Sequence, residues 1–128
     1  MSFDLFIQNN DNLLPRGDVR IVQVVAQPSP EGRRVRVGVE ITPFREQPNL
    51  EIAILSADGR AVASTSVIAL MHFKVEFNLH LRGVDDSAGD YIVRVQLYYE
   101  DAAEPQDTRE AALHIPTATG DSPRNSES

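Results

Sequence analysis

The side chains best equipped for chemistry are few, and their spacing keeps them apart. The three histidines are His72, His80 and His114. His72 and His80 share one alternating segment but sit eight residues apart. At ~3.3 Å per residue that is roughly 26 Å, too far to share an ion. Zinc needs three or four converging ligands, and without cysteine thiolate sites and disulfides are excluded. The carboxylates are more concentrated. Asp85, Asp86, Asp90, Glu100, Asp101, Glu104 and Asp107 lie between Gly83 and Asp107, against Arg94 as the single base. Calcium takes about six to eight oxygens, and the loop with Glu100, Asp101, Glu104 and Asp107 offers several, although no Asp-x-Asp-x-Asp ladder accompanies them.

Catalytic signatures are missing from the sequence. There is no Gly-x-Ser-x-Gly elbow, no glycine-rich phosphate loop and no cysteine nucleophile. The chain reads as a non-enzyme with no cofactor and no metal site. Arg16-Gly17-Asp18 spells the cell-adhesion tripeptide. Its simpler reading is a turn, with Gly17 as the pivot ahead of the first strand. The formal net charge of -7 argues against nucleic acid or an anionic membrane as partner, since both call for clustered Lys and Arg. No run approaches the ~20 apolar residues of a membrane helix. Met1–Gln8 lacks the basic start of a signal peptide, so a cytoplasmic location is expected.

The elements that must position these groups are strands. From Met71 to Arg82 every odd residue is apolar and every even one polar, the pattern of a strand with one buried and one wet face. Phe73, Val75, Phe77 and Leu79 are thus expected in the core. The other strands are expected at Val19–Ala26 (without a clean period), Arg34–Thr42, Asn49–Leu55, Arg60–Val67, Asp90–Glu100 and Thr108–Ile115. Pro28-Ser29-Pro30-Glu31-Gly32 and Ala57-Asp58-Gly59 mark turns, and Pro43 and Pro116 mark stops. The fourth strand is rich in Ala, Ser and Thr and suits a sheet edge. Val67–Met71 reads as a buried crossover. Seven strands with such spacing predict an all-β, antiparallel, two-sheet Greek-key sandwich. It occupies residues 19–116, after a lead-in over 1–18 carrying Phe3, Leu5, Phe6 and Ile7, and before a tail, 117–128, expected to be disordered because it has nothing to bury.

Asp86-Ser87-Ala88-Gly89-Asp90-Tyr91-Ile92-Val93 resembles the corner before the sixth strand of immunoglobulin-like domains. Gly89 and Tyr91 match; Asp86 sits one residue early, and Val93 stands where Cys is frequent. Arg94-Val95-Gln96-Leu97 is similar to the sixth strand of fibronectin type III and bacterial immunoglobulin-like modules. The usual core Trp of the third strand is absent, since the chain has none. The resemblance implies an immunoglobulin-like sandwich with Tyr91 as the corner tyrosine. It implies no activity, because this fold hosts many functions.

In the usual immunoglobulin order the third, sixth and seventh strands are neighbours. With Leu50, Ile52 and Ile54 inward, Ala53 and Leu55 face out, as do Ile92, Arg94, Tyr98 and Ala112. Glu51, Gln96 and His114 ring them. An apolar centre with a polar rim is interface anatomy, and Tyr98 offers a ring and a hydroxyl for recognition. The chain is therefore expected to be a non-catalytic protein-interaction or assembly module that binds a protein partner or itself through this face. The alternative is a calcium-dependent or carbohydrate-binding accessory domain that uses the acidic end loops.

Overall fold

The computed structural model describes residues 13–84 and 86–117. The lead-in's Phe3–Ile7, Asp85 and residues 118–128 lie outside them. A short 3-10 turn, Arg16–Asp18, precedes seven strands: β1 (Ile21–Pro28), β2 (Arg34–Ile41), β3 (Asn49–Ser56), β4 (Ala61–Val67), β5 (Lys74–His80), β6 (Gly89–Tyr98) and β7 (Asp107–Ile115). They form two antiparallel sheets, ordered β1-β2-β5 and β4-β3-β6-β7.

Alternation builds the core. Val35, Val37, Val39 and Ile41 of β2 face Leu50, Ile52 and Ile54 of β3 and Val93, Val95 and Leu97 of β6, all buried in one cluster. β1 lacks a clean period for a structural reason. Its register shifts between Ile21 and Gln23, so the inward set passes from Ile21 to Val24 and Ala26. A bulge inserts one residue and flips the parity of everything after it. At the β3–β4 turn Gly59 takes φ +87°, a left-handed value that glycine adopts without a Cβ clash. The Ser56 hydroxyl and the Arg60 N–H both reach the Asp58 carboxylate, which holds it below its usual pKa, the Ser56 bond being the larger cause.

A local hydrogen bond closes the corner before β6. Tyr91 is buried, and its hydroxyl donates to the Ser87 carbonyl at 2.8 Å. Burial, with a contribution from Asp86, raises the phenol pKa. Gly32 sits against this corner at φ +75°, where a Cβ would stand 3.0 Å from both Ile115 Cγ2 and Ser87 Oγ.

Two expectations are overturned. The inward residues of the segment 71–82 do not all reach the core. β5 is a sheet edge, Val75 and Phe77 are only half-buried, and of the four expected core residues Leu79 alone is fully buried. The reason lies across the sandwich: the edge strands β4 and β5 meet only slightly, so the inward side of β5 is covered in part. Phe73 precedes the strand, is 37% exposed, and meets the edge of Phe44 with centroids 4.8 Å apart. Nor is Val67–Met71 a buried crossover. Leu70 reaches the core, pinned by its N–H to the Pro48 carbonyl at 2.8 Å, while Ile68 and Met71 are 68% and 74% exposed. A single anchoring side chain suffices to carry the chain from one sheet to the other.

Candidate interaction face

Cross-strand register decides which outward residues meet. β3 lies between β4 and β6, and β7 lies beyond β6. Leu55 is directly opposite Ile92, and Ile92 is opposite Ala112. Ala61 of β4 faces Leu55 from the other side. An apolar row, Ala61-Leu55-Ile92-Ala112, therefore crosses all four strands of the larger sheet. The next row is Ser64-Ala53-Arg94-Glu110 and the one beyond it Ser66-Glu51-Gln96-Thr108. Directly opposed residues have Cβ atoms about 4.5–5.5 Å apart, so each row is a set of touching neighbours.

Five of the six residues expected on this face, Ala53, Leu55, Ile92, Arg94 and Ala112, fall in two adjacent rows. Ile92 is 37% exposed and Ala112 is exposed, whereas Ala53, Leu55 and Arg94 are partly covered. Ala61 completes the row. Sequence reading missed it because the pairing of β4 with β3 carries a register irregularity next to Leu55. The Ala57-Asp58-Gly59 turn was the signal that these two strands are hairpin partners.

Tyr98 does not belong to an exposed recognition surface. Its ring is buried at 8% exposure, and it lies outside the core cluster. It stands at the last residue of β6, opposite Asn49, three rows from the one that holds Ile92. The period of two fixes the direction of a side chain but not its access to solvent. Tyr99, the next residue, packs on the core and donates its hydroxyl to the Glu46 carbonyl at 2.9 Å.

The rim is polar and internally bonded. Ser66 Oγ donates to Glu51 at 2.6 Å. His114 Nδ1 lies 2.7 Å from Asp90 Oδ1, both side chains exposed. His72 and His80 are exposed, and among the described residues no cluster of three His, Asp or Glu could hold a metal ion.

The second acidic loop is largely committed to the fold. Asp107 Oδ2 accepts from the Ile21 N–H at 2.8 Å, joining β7 to β1. Asp101 Oδ1 accepts from the Ala103 N–H at 2.9 Å. Glu100 accepts from Arg16 at 2.6 Å. Arg16 also binds Glu46 at 2.6 Å and lies 4.7 Å over the Tyr99 ring. Arg16 holds the Glu46 carboxyl below its usual pKa, and the two carboxylates raise that of the guanidinium. The Arg-Gly-Asp tripeptide is the 3-10 turn of this clamp, and its arginine is engaged with two carboxylates.

No family model matches the sequence, and no curated protein does. Solved structures do match in shape. A glycosyl hydrolase family 2 member from Bacteroides cellulosilyticus superposes with a TM-score of 0.58 at 15% identity, over 76% of this chain and 15% of that one. The β-glucuronidase of Bifidobacterium dentium, complexed with coumarin-3-O-glucuronide, gives 0.59 at 15% identity, over 77% and 18%. The β-glucuronidase of Parabacteroides merdae gives 0.53 at 11% identity, over 76% and 14%. Such a likeness defines a fold: a two-sheet β-sandwich that fits the immunoglobulin-like class. The chain spans less than a fifth of each of these proteins.

Proposed function

We propose that residues 19–116 form a non-catalytic accessory module, an immunoglobulin-like Greek-key sandwich that packs against a protein partner through the outer face of β3, β6 and β7. The observation that carries this reading is the apolar row Ala61-Leu55-Ile92-Ala112, aligned by register across four strands. It is flanked by Arg94 and Glu110 in the adjacent row, so an apolar strip is bordered by charge, as a recognition patch requires. The likeness to small parts of large glycosidases supports a supporting role beside another domain. The fold itself carries no activity. A cytoplasmic setting agrees with the absence of cysteine.

The alternative, calcium or carbohydrate at the acidic end loops, is less well supported. Glu100, Asp101 and Asp107 already accept bonds from Arg16, Ala103 and Ile21, so binding an ion there costs contacts of the fold.

Carboxylate labelling of the module alone and with its partner, recovered from an extract of the source cell, tests the reading. Glu51 and Glu110 on the face should lose reactivity in the complex, while Glu76, exposed on β5 of the other sheet, should keep it. Protection of Glu76 with Glu51 and Glu110 unchanged would place the contact on the wrong sheet for this proposal.

A further inference from the structure

The two sheets are tied together along one side and open along the other. Where β1 meets β7, Asp107 takes the Ile21 N–H and Arg109 donates to the Ile21 carbonyl at 3.1 Å. On the other side β4 and β5 meet only slightly. Just past β5 the Arg82 N–H donates to the Val62 carbonyl at 2.9 Å and pins that end. From there the seam runs open toward Phe73. It holds a groove of about 480 Å³, lined by Ala63, Thr65, Asn78 and His80 among others. Next to it lies one of about 500 Å³, lined by Val67, Ile68, Met71, Val75 and Phe77.

β5 offers this seam a regular backbone edge. Its pairing with β2 runs from Arg34–His80 to Glu40–Lys74 without a register shift. The Ile41 N–H donates to the Phe73 carbonyl at 2.7 Å, and the Leu81 N–H to the Arg33 carbonyl at 3.0 Å. The odd residues of β5 therefore turn their backbone polar groups toward β2. Lys74, Glu76, Asn78 and His80 turn theirs the other way. Among the described residues no backbone group pairs with them there.

The start of the described chain enters beside this edge. Leu14 forms a parallel bridge with Phe44. Its N–H donates to the Pro43 carbonyl at 3.1 Å, and its carbonyl accepts from the Arg45 N–H at 3.0 Å. The neighbouring Thr42 N–H goes to Arg20, on the β1 side. Backbone groups alternate in direction along an extended chain, so Leu14 lies on the β5 side. The chain leading into Leu14 therefore runs parallel to β2 and antiparallel to β5.

We propose that residues 3–8 of this chain form an eighth strand on the free edge of β5, with Phe3, Leu5 and Ile7 turned into the seam. These three share one parity. They stand opposite Leu79, Phe77 and Val75, the inward side chains of β5. Phe6 then faces Glu76, and Asp4 faces Asn78. Reach allows this register. The Leu14–Phe44 bridge lies three rows beyond Phe73 and five beyond Val75, a rise of ~16 Å. The seven steps from Ile7 to Leu14 span up to about 23 Å, enough for the rise and the ~4.8 Å step across to the edge. Asn9-Asn10-Asp11-Asn12 supplies the turn. Sliding the segment two residues toward Phe73 sets Asp4 against Glu76, like charge on like. Sliding it two the other way brings Phe3 to Leu81, beside the Val62–Arg82 bond, and stretches the link to its limit. A segment tethered at Leu13 meets this edge at an effective concentration on the order of mM, ahead of a strand from a second copy.

Residue-resolved amide hydrogen exchange on the full chain tests the strand. The Glu76 and Asn78 N–H groups should exchange at least about tenfold more slowly in the wild type than in Leu5→Asp with Ile7→Asp, or in a chain lacking residues 1–12. The Ile52 N–H, in the interior strand β3, should stay protected in all three and report an intact fold. The double variant decides the matter should the shortened chain fail to fold. The chain has no cysteine, so a second measurement is clean. Leu5→Cys with Phe77→Cys should close a disulfide within one copy on mild oxidation, since an opposed pair lies within bonding reach. Leu5→Cys with Val25→Cys, on β1 at the far side of that sheet, should keep its thiols. Equal exchange of Glu76 and Asn78 in the wild type and the double variant overturns the proposal. So does protection that grows with protein concentration, which assigns the edge to a second copy, and so does a disulfide that forms as readily to Val25→Cys.

Discussion

Tyr91 and Gly32 carry the sharpest consequences at the level of single residues. Tyr91→Phe removes the bond to the Ser87 carbonyl and keeps the ring, so urea unfolding should show a loss of about 1 kcal/mol. Gly32→Ala combines a left-handed φ with a Cβ 3.0 Å from Ile115 and Ser87. It should cost at least about 1 kcal/mol in the same measurement. Ala69 presents the opposite case, a non-glycine residue at φ 57°; Ala69→Gly should leave stability unchanged or raise it by up to about 1 kcal/mol. The corner tyrosine was legible from sequence because its partner lies four residues upstream, within one local motif. Tyr98 was not, because the period of two sets the direction of a side chain and not its burial.

At the scale of elements, burial ranks the strands. Ile54, with no exposed surface in β3, should lose about 2–5 kcal/mol on change to Ala. Phe77, half-buried on the edge strand β5, should lose less than Ile54 despite its larger ring. The perfect alternation of 71–82 announced a strand and its inward face but could not show how much lies opposite that face. The Arg16 clamp adds a pH dependence. Glu46 has a depressed folded-state pKa, caused first by its bond to Arg16. Its contribution is therefore present above the unfolded carboxylate pKa and is lost as pH falls through the folded value. A plot of Tm against pH should decline on the acid side, and Arg16→Gln should flatten that decline. The partners of Arg16, 30 and 84 residues away in sequence, are beyond any local pattern.

For the molecule as a whole, seven strands and their turns were legible from alternation and from Pro and Gly punctuation, while the adjacency of β3, β6 and β7 was implied by the immunoglobulin-like resemblance and is seen in the larger sheet. What stayed hidden is what register alone creates: the bulge in β1 and the alignment of Ala61 with Leu55 across a second register shift. The central claim is that the apolar row on the larger sheet binds a protein partner. The most direct measurement is a titration of that partner, recovered from an extract of the source cell, against the wild-type module and against Leu55→Asp with Ile92→Asp. The account predicts binding at least about tenfold weaker in the double variant, equivalent to about 1.4 kcal/mol, with circular dichroism and Tm preserved. Equal affinity for the two proteins would contradict it.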